Sequence, residues 1–202
     1  MGIFEEVQNK GDQALIELTS KFDGCALKNI QVTQEEFSKA QTLVSDDLKN
    51  AIELAKANIE KFHSSQFVSK EKIETYPGVF CWRESRGIER VGLYIPGGTA
   101  PLFSTILMLA IPAKIAGCKE VILCTPPDKG GNVNPAILYT AELTGITQVF
   151  KVGGAQAIAA MGLGTPTVPS VYKIFGPGNQ YVTKAKELIQ QRGVAIDMPA
   201  GP

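Results

Sequence analysis

The second half of the chain constrains the fold most, because from Val91 onward short apolar runs alternate with helical segments. Strands are predicted at 91–94, 121–125, 148–152, 170–175 and 194–196. Helices are predicted at 104–117, 134–144, 154–161 and 179–192, with Pro112 expected to kink the first of them. The strand runs are almost continuously apolar instead of alternating apolar and polar. Strands of that kind are buried on both faces, which a parallel sheet covered by helices on either side requires. The fold class is therefore α/β, with three layers and a parallel sheet.

The first ninety residues follow a different pattern. Phe4, Val7, Leu15, Leu18 and Phe22 lie near one stripe of a helix over 3–22, interrupted by Gly11 and ended by Asp23-Gly24. Residues 30–32 read as a short strand. Thr33-Gln34-Glu35-Glu36 is a capping box that opens another helix. Leu48, Ile52, Ala55, Ile59 and Phe62 step by four and three, so 46–66 is an amphipathic helix with Ser45 as its cap. Residues 72–88 read as β-hairpin material, with a turn at Tyr76-Pro77-Gly78.

Composition excludes several classes. Twenty Lys and Arg balance twenty Asp and Glu, leaving no electrostatic footprint for nucleic acid. No apolar run reaches the ~18 residues that span a bilayer. The N-terminus lacks the basic and apolar regions of a secretory signal, so a cytoplasmic protein is expected. Cys25, Cys81, Cys118 and Cys124 form no C-x-x-C pair, and His63 is the one histidine. Structural zinc usually takes four closely paired Cys and His ligands, so no metal site is expected. The cysteines read as small buried hydrophobes. His63 reads as a cation at a helix C-terminus, not as a catalyst.

Three loops follow strands and precede helices: Tyr94-Ile95-Pro96-Gly97-Gly98-Thr99, Val152-Gly153-Gly154-Ala155-Gln156 and Phe175-Gly176-Pro177-Gly178-Asn179. Ligands of parallel sheets bind at such loops, and a helix N-terminus favours phosphate. Tyr94 is either a surface for a base or ribose, or a core-edge tyrosine. Gln156 is either a ligand amide or a first-turn residue, and Asn179 either a ligand or an N-cap. No G-x-G-x-x-G is present. Gly176-Pro177-Gly178-Asn179-Gln180-Tyr181 comes nearest, with Tyr181 where the third glycine would allow close helix–strand packing. Tyr181 is therefore expected to widen that approach and bar the usual dinucleotide pose. Asp197 reads as a turn residue.

The same loops resemble histidinol dehydrogenase, as do Glu89–Leu102, Val152–Ala160, Lys173–Asn179 and Ala195–Pro202. The likeness extends to Gly11–Leu15 and Lys21-Phe22-Asp23. It implies a Rossmann-like, aldehyde-dehydrogenase-like domain over 93–202, preceded at 1–92 by part of a first domain. It implies NAD as cofactor, contacted by the positions of Tyr94, Gln156 and Asn179, and a homodimer. It implies oxidation of L-histidinol to L-histidine through histidinal, with two NAD and a zinc ion. In that family the motif at Ala200-Gly201-Pro202 continues into a substrate-contacting serine. The zinc ligands and a glutamate–histidine acid–base pair lie beyond it. The chain is thus expected to be a fragment, inactive alone and without catalytic or metal residues, and the 46–66 helix to leave apolar area exposed. A stand-alone nucleotide-binding or interaction module is the alternative.

Overall fold

The computed structural model describes residues 2–98 and 100–198; Thr99 and the Ala200-Gly201-Pro202 motif lie outside them. Five strands form one parallel sheet: β3 (Arg90–Tyr94), β4 (Glu120–Thr125), β5 (Gln148–Lys151), β6 (Lys173–Phe175) and β7 (Ala195–Ile196). Their order is β5-β4-β3-β6-β7, so the chain winds outward to β5 and then crosses back past β3. The helices between them are α5 (Phe103–Ile115), α6 (Pro135–Leu143), α7 (Gly154–Leu163) and α8 (Gln180–Gln190). Leu93, Leu123 and Val149 pack with Ile106, Ala110 and Ile137 of α5 and α6. Tyr94, Ile122, Cys124, Phe150 and Ile174 pack on the other face with α7 and α8. The expected three-layer α/β/α arrangement is present.

Pro112 lies inside α5, where it cannot donate to the carbonyl four residues back. That carbonyl belongs to Met108, an exposed residue of the helix, so the missing hydrogen bond falls where water can replace it.

The N-terminal part packs around this sheet. The expected 3–22 helix is two helices, α1 (Ile3–Lys10) and α2 (Asp12–Asp23), broken at Gly11 with φ +55° and ψ −128°. That conformation lies outside what a side chain tolerates, so glycine makes the break. Both helices pack on α7. Residues 30–32 form no full strand. A single antiparallel bridge joins Gln31 to Phe150, flanked by Val32 N–H to Val149 O (2.9 Å) and Lys151 N–H to Ile30 O (2.8 Å).

The capping box is formed as read, with α3 (Gln34–Leu43) starting at Thr33: Glu36 Oε2 accepts from Thr33 N at 2.8 Å, and Thr33 Oγ1 from Glu36 N at 3.3 Å. Helix α3 packs on α6. Helix α4 (Asp46–Ser64) is capped by Ser45 and lays Leu48, Ile52, Ala55 and Ile59 against Leu107 and Ile111 of α5. Phe62, read as part of that stripe, is instead 62% exposed, and Leu54 is exposed as well. Apolar area on this helix is thus open, as expected. The hairpin of β1 (Lys72–Tyr76) and β2 (Val79–Trp82) stands clear of the body, with every residue exposed. Cys81 lies on it, so the reading of all four cysteines as buried fails there, while Cys25 and Cys124 are buried.

Candidate cofactor site

Strand order fixes where a ligand crevice lies. The winding of the chain reverses between β3 and β6, so the loops after these two neighbouring strands lead to helices on opposite faces of the sheet, the place where a ligand gap is expected. Tyr94 closes β3 at this gap. It is 3% exposed, and its hydroxyl accepts a hydrogen bond from Gly154 N–H at 3.0 Å. Burial pushes its phenol up to about 12, against the hydrogen bond from Gly154; the nearby Asp23 charge adds to the rise. The hydroxyl is therefore neutral at any physiological pH.

Gln156 sits in the first turn of α7 and is 2% exposed. No side chain caps this helix start. Gly153, in the N-cap position, has ordinary extended dihedrals (φ −106°, ψ −178°) that any residue adopts. A Cβ there would lie 2.5 Å from Pro126 Cβ, so it is the rigid proline ring that excludes a capping side chain. Of the first-turn N–H groups, that of Gly154 goes to Tyr94 and no N-cap side chain takes those of Ala155 and Gln156, where the helix's partial positive charge lies.

Strand β6 exits through Gly176-Pro177-Gly178 against the backbone of Tyr94. At Gly176 φ is +127°, and a Cβ would collide with the Tyr94 carbonyl oxygen. Only glycine allows the two loops to touch here. Asn179 then caps α8, its Oδ1 accepting from Tyr181 N (3.0 Å) and Val182 N (3.1 Å). The structure thus brings Tyr94, the start of α7 and the Gly176 loop together. Asn179 stands on the exposed rim, and no hydrogen bond joins its side chain to Tyr94 or Gln156 among the described residues.

Two sequence readings need correction. Tyr181 does not widen the helix–strand approach, because its side chain is 66% exposed; Val182 is the residue that turns inward, packed with Ala185 and Ile189. The Asn179 cap sets that phase, so Tyr181 gives no ground for excluding any cofactor pose. Asp197 is not a simple turn residue either. Its Oδ2 accepts Gly176 N–H at 2.8 Å, and its Oδ1 pairs with the ammonium of the buried Lys186. Lys186 escaped the sequence reading because it lies among exposed-looking α8 residues, although it falls four after Val182 on the inward face. Asp23, read only as a helix stop, has a buried Oδ2 without a hydrogen-bond partner among the described residues, and burial raises its carboxyl. His63 is half-buried and pairs through Nδ1 with Gln66 Oε1 at 2.8 Å.

Two hollows flank the gap. The larger, about 490 Å³, lies over the ends of β3 and β4, between α3, Pro96–Gly98 and Pro126–Asp128. None of Tyr94, Gln156 and Asn179 lines it. The smaller, about 160 Å³, lies beside β6 and β7 and has Gly176–Gly178, Lys186 and Asp197 in its walls. No helix among the described residues is long and apolar enough to cross a membrane.

Sheet order, its reversal between β3 and β6 and the free helix start beside it define a doubly wound α/β domain, a class that takes its ligands at such a reversal point. The chain belongs to the histidinol dehydrogenase family, whose model matches residues 1–202. It is 63% identical over 200 residues to histidinol dehydrogenase of Bacteroides thetaiotaomicron, covering 99% of this chain and 47% of that protein. Against the Xylella fastidiosa protein of the same name it is 54% identical over 201 residues, with the same coverage. The crystal structure of histidinol dehydrogenase from Elizabethkingia anophelis superposes with a TM-score of 0.97 at 60% identity, over 99% of this chain and 46% of that one. The chain therefore spans about half the length of the curated relatives it matches.

Proposed function

We propose that this chain is the NAD-binding portion of a histidinol dehydrogenase, the enzyme that oxidises L-histidinol through histidinal to L-histidine. The observation that carries the reading is the meeting, at the sheet's reversal point, of an uncapped helix start with a buried glutamine, a buried neutral tyrosine and a glycine loop. Within this reading residues 93–202 are the cofactor domain and 1–92 part of a first domain. The setting is a cytoplasmic homodimer.

The residues present suit a dinucleotide. NAD, when bound, supplies the acceptor for a hydride. Gln156 offers both an amide donor and an amide acceptor at the start of α7. Tyr94 holds the first N–H of that helix in place with a hydroxyl that stays neutral. Asn179 has spent its oxygen on the cap of α8, which leaves its amide nitrogen for a ligand. The zinc of the family is a different matter. Among the described residues no group of three or more His, Cys, Asp or Glu side chains is placed to hold a metal ion, so these residues do not fit it.

Calorimetric titration of NAD into the chain tests the reading. Saturable binding is expected, with Gln156→Ala weakening it about tenfold, the loss of one good polar contact. No saturation by the parent chain would leave the stand-alone interaction module as the better account. A polypeptide limited to these 202 residues is expected to take up NAD without oxidising histidinol, and NADH production by it would overturn that part of the proposal.

A further inference from the structure

Lys186 is a lysine at 7% exposure, on the inward face of α8. Its ammonium donates to the Gly176 carbonyl oxygen at 2.7 Å and pairs with Asp197 Oδ1. The other oxygen of Asp197 accepts the Gly176 N–H at 2.8 Å. One residue of the loop is therefore gripped at both its donor and its acceptor by an ion pair between a buried lysine and a half-buried aspartate. Across the loop, the same glycine is pressed against the backbone of Tyr94. A buried lysine is costly unless it is paired and fully hydrogen-bonded. Replacing such a pair with apolar side chains is often neutral or stabilising, so stability alone is a weak reason for it.

We infer that Lys186 and Asp197 are positioning residues for the cofactor: as a strut they fix the Gly176-Pro177-Gly178 loop, and with it Asn179, at the mouth of the β3–β6 crevice. The inference rests on the NAD reading above and adds a task that no loop residue performs for itself. Glycine is free to adopt many conformations, so a loop with two glycines around one proline loses much entropy on becoming rigid. If the strut holds the loop in its binding shape beforehand, that cost falls on folding and not on cofactor uptake. The pair joins α8 to the end of β7, so it also ties the loop to two elements that flank it.

A second pair of the same burial supplies the control. Lys151 bonds Glu36 at 2.6 Å, between β5 and α3, and touches neither the loop nor Asn179. The test compares Lys186→Met with Lys151→Met in the full chain, by NAD titration, thermal melting and amide hydrogen exchange. Both substitutions are expected to lower the melting temperature. Only Lys186→Met is expected to raise the NAD dissociation constant, by about tenfold or more, while Lys151→Met stays within about twofold of the parent. Exchange at Gly176 is expected to speed up in Lys186→Met alone. Should Lys186→Met fail to fold, Asp197→Asn, which keeps the shape and removes the charge, is expected to show the same pattern more weakly. Equal NAD affinity in parent and Lys186→Met, or unchanged Gly176 exchange, overturns the inference. An absence of NAD binding by the parent chain overturns the function reading, and the exchange result then decides separately whether the strut holds the loop.

Discussion

The starts of α7 and α8 both follow a strand and a glycine-bearing loop, yet they are completed in opposite ways. Helix α8 is closed by its own sequence, since Asn179 satisfies two of its N–H groups. Helix α7 is left open, because Pro126 on a distant loop occupies the space where a capping side chain would begin. One N–H of α7 goes to the Tyr94 hydroxyl, and no N-cap side chain takes the others. Two loops that look alike in sequence thus divide the work. The first leaves its helix end bare, and the second is a finished turn gripped by Lys186 and Asp197.

The sharpest way to break this contrast is to cap α7. Serine is a favoured N-cap residue, so propensity alone predicts that Gly153→Ser stabilises. Overpacking against Pro126 predicts the reverse, a loss of about 1–3 kcal/mol in urea unfolding. A gain in stability would show that the proline does not exclude the cap. Next in size is Tyr94→Phe, which strips the partly buried Gly154 N–H of its acceptor; a loss of about 1 kcal/mol is expected. Removing the cap from α8 by Asn179→Ala should cost about 0.5–1 kcal/mol. Asn179→Asp keeps the acceptor and should hold stability while weakening NAD, so the pair of variants separates cap from ligand contact.

A further test is a titration. Unfolded chain gives up the Tyr94 proton in the ordinary phenol range, and folded chain only near 12. The folded state therefore binds more protons between about pH 10 and 12, and stability falls as pH rises through that window. Below it the contribution is complete. Ultraviolet titration of the five tyrosines should show a latest component, beyond the raised Tyr139, that disappears in Tyr94→Phe.

Most of the fold could be read from local signals. Apolar runs marked the buried parallel strands, and Ser45, Thr33 and Asn179 marked helix starts by side chains that bond within three residues. The site was legible only as far as such local rules reach. Asn179 was open between cap and ligand, and the structure shows the cap. The motif position of Tyr181 points it toward the strand, whereas its direction follows from where α8 begins. The grip of Lys186 and Asp197 on Gly176 depends on β7 lying beside β6, and the bare end of α7 depends on Pro126. Neither leaves a trace in the spacing of nearby residues. Phe62 fitted its helical stripe and is still exposed, because the surface of α5 ends before reaching it.

The bridge between residues 30–32 and the edge of β5 has a consequence for how the chain reaches this structure. It joins segments about 120 residues apart, so closing it must wait until β5 is synthesised and in place, and loop-closure entropy makes it a late event. Until then the outer edge of β5 is an unpaired strand edge beside apolar Phe150 and Val152, open to any other extended chain. Residues 30–32 therefore guard the outer edge of β5, and a variant that cannot make this bridge should aggregate during refolding before any loss of native stability is measured.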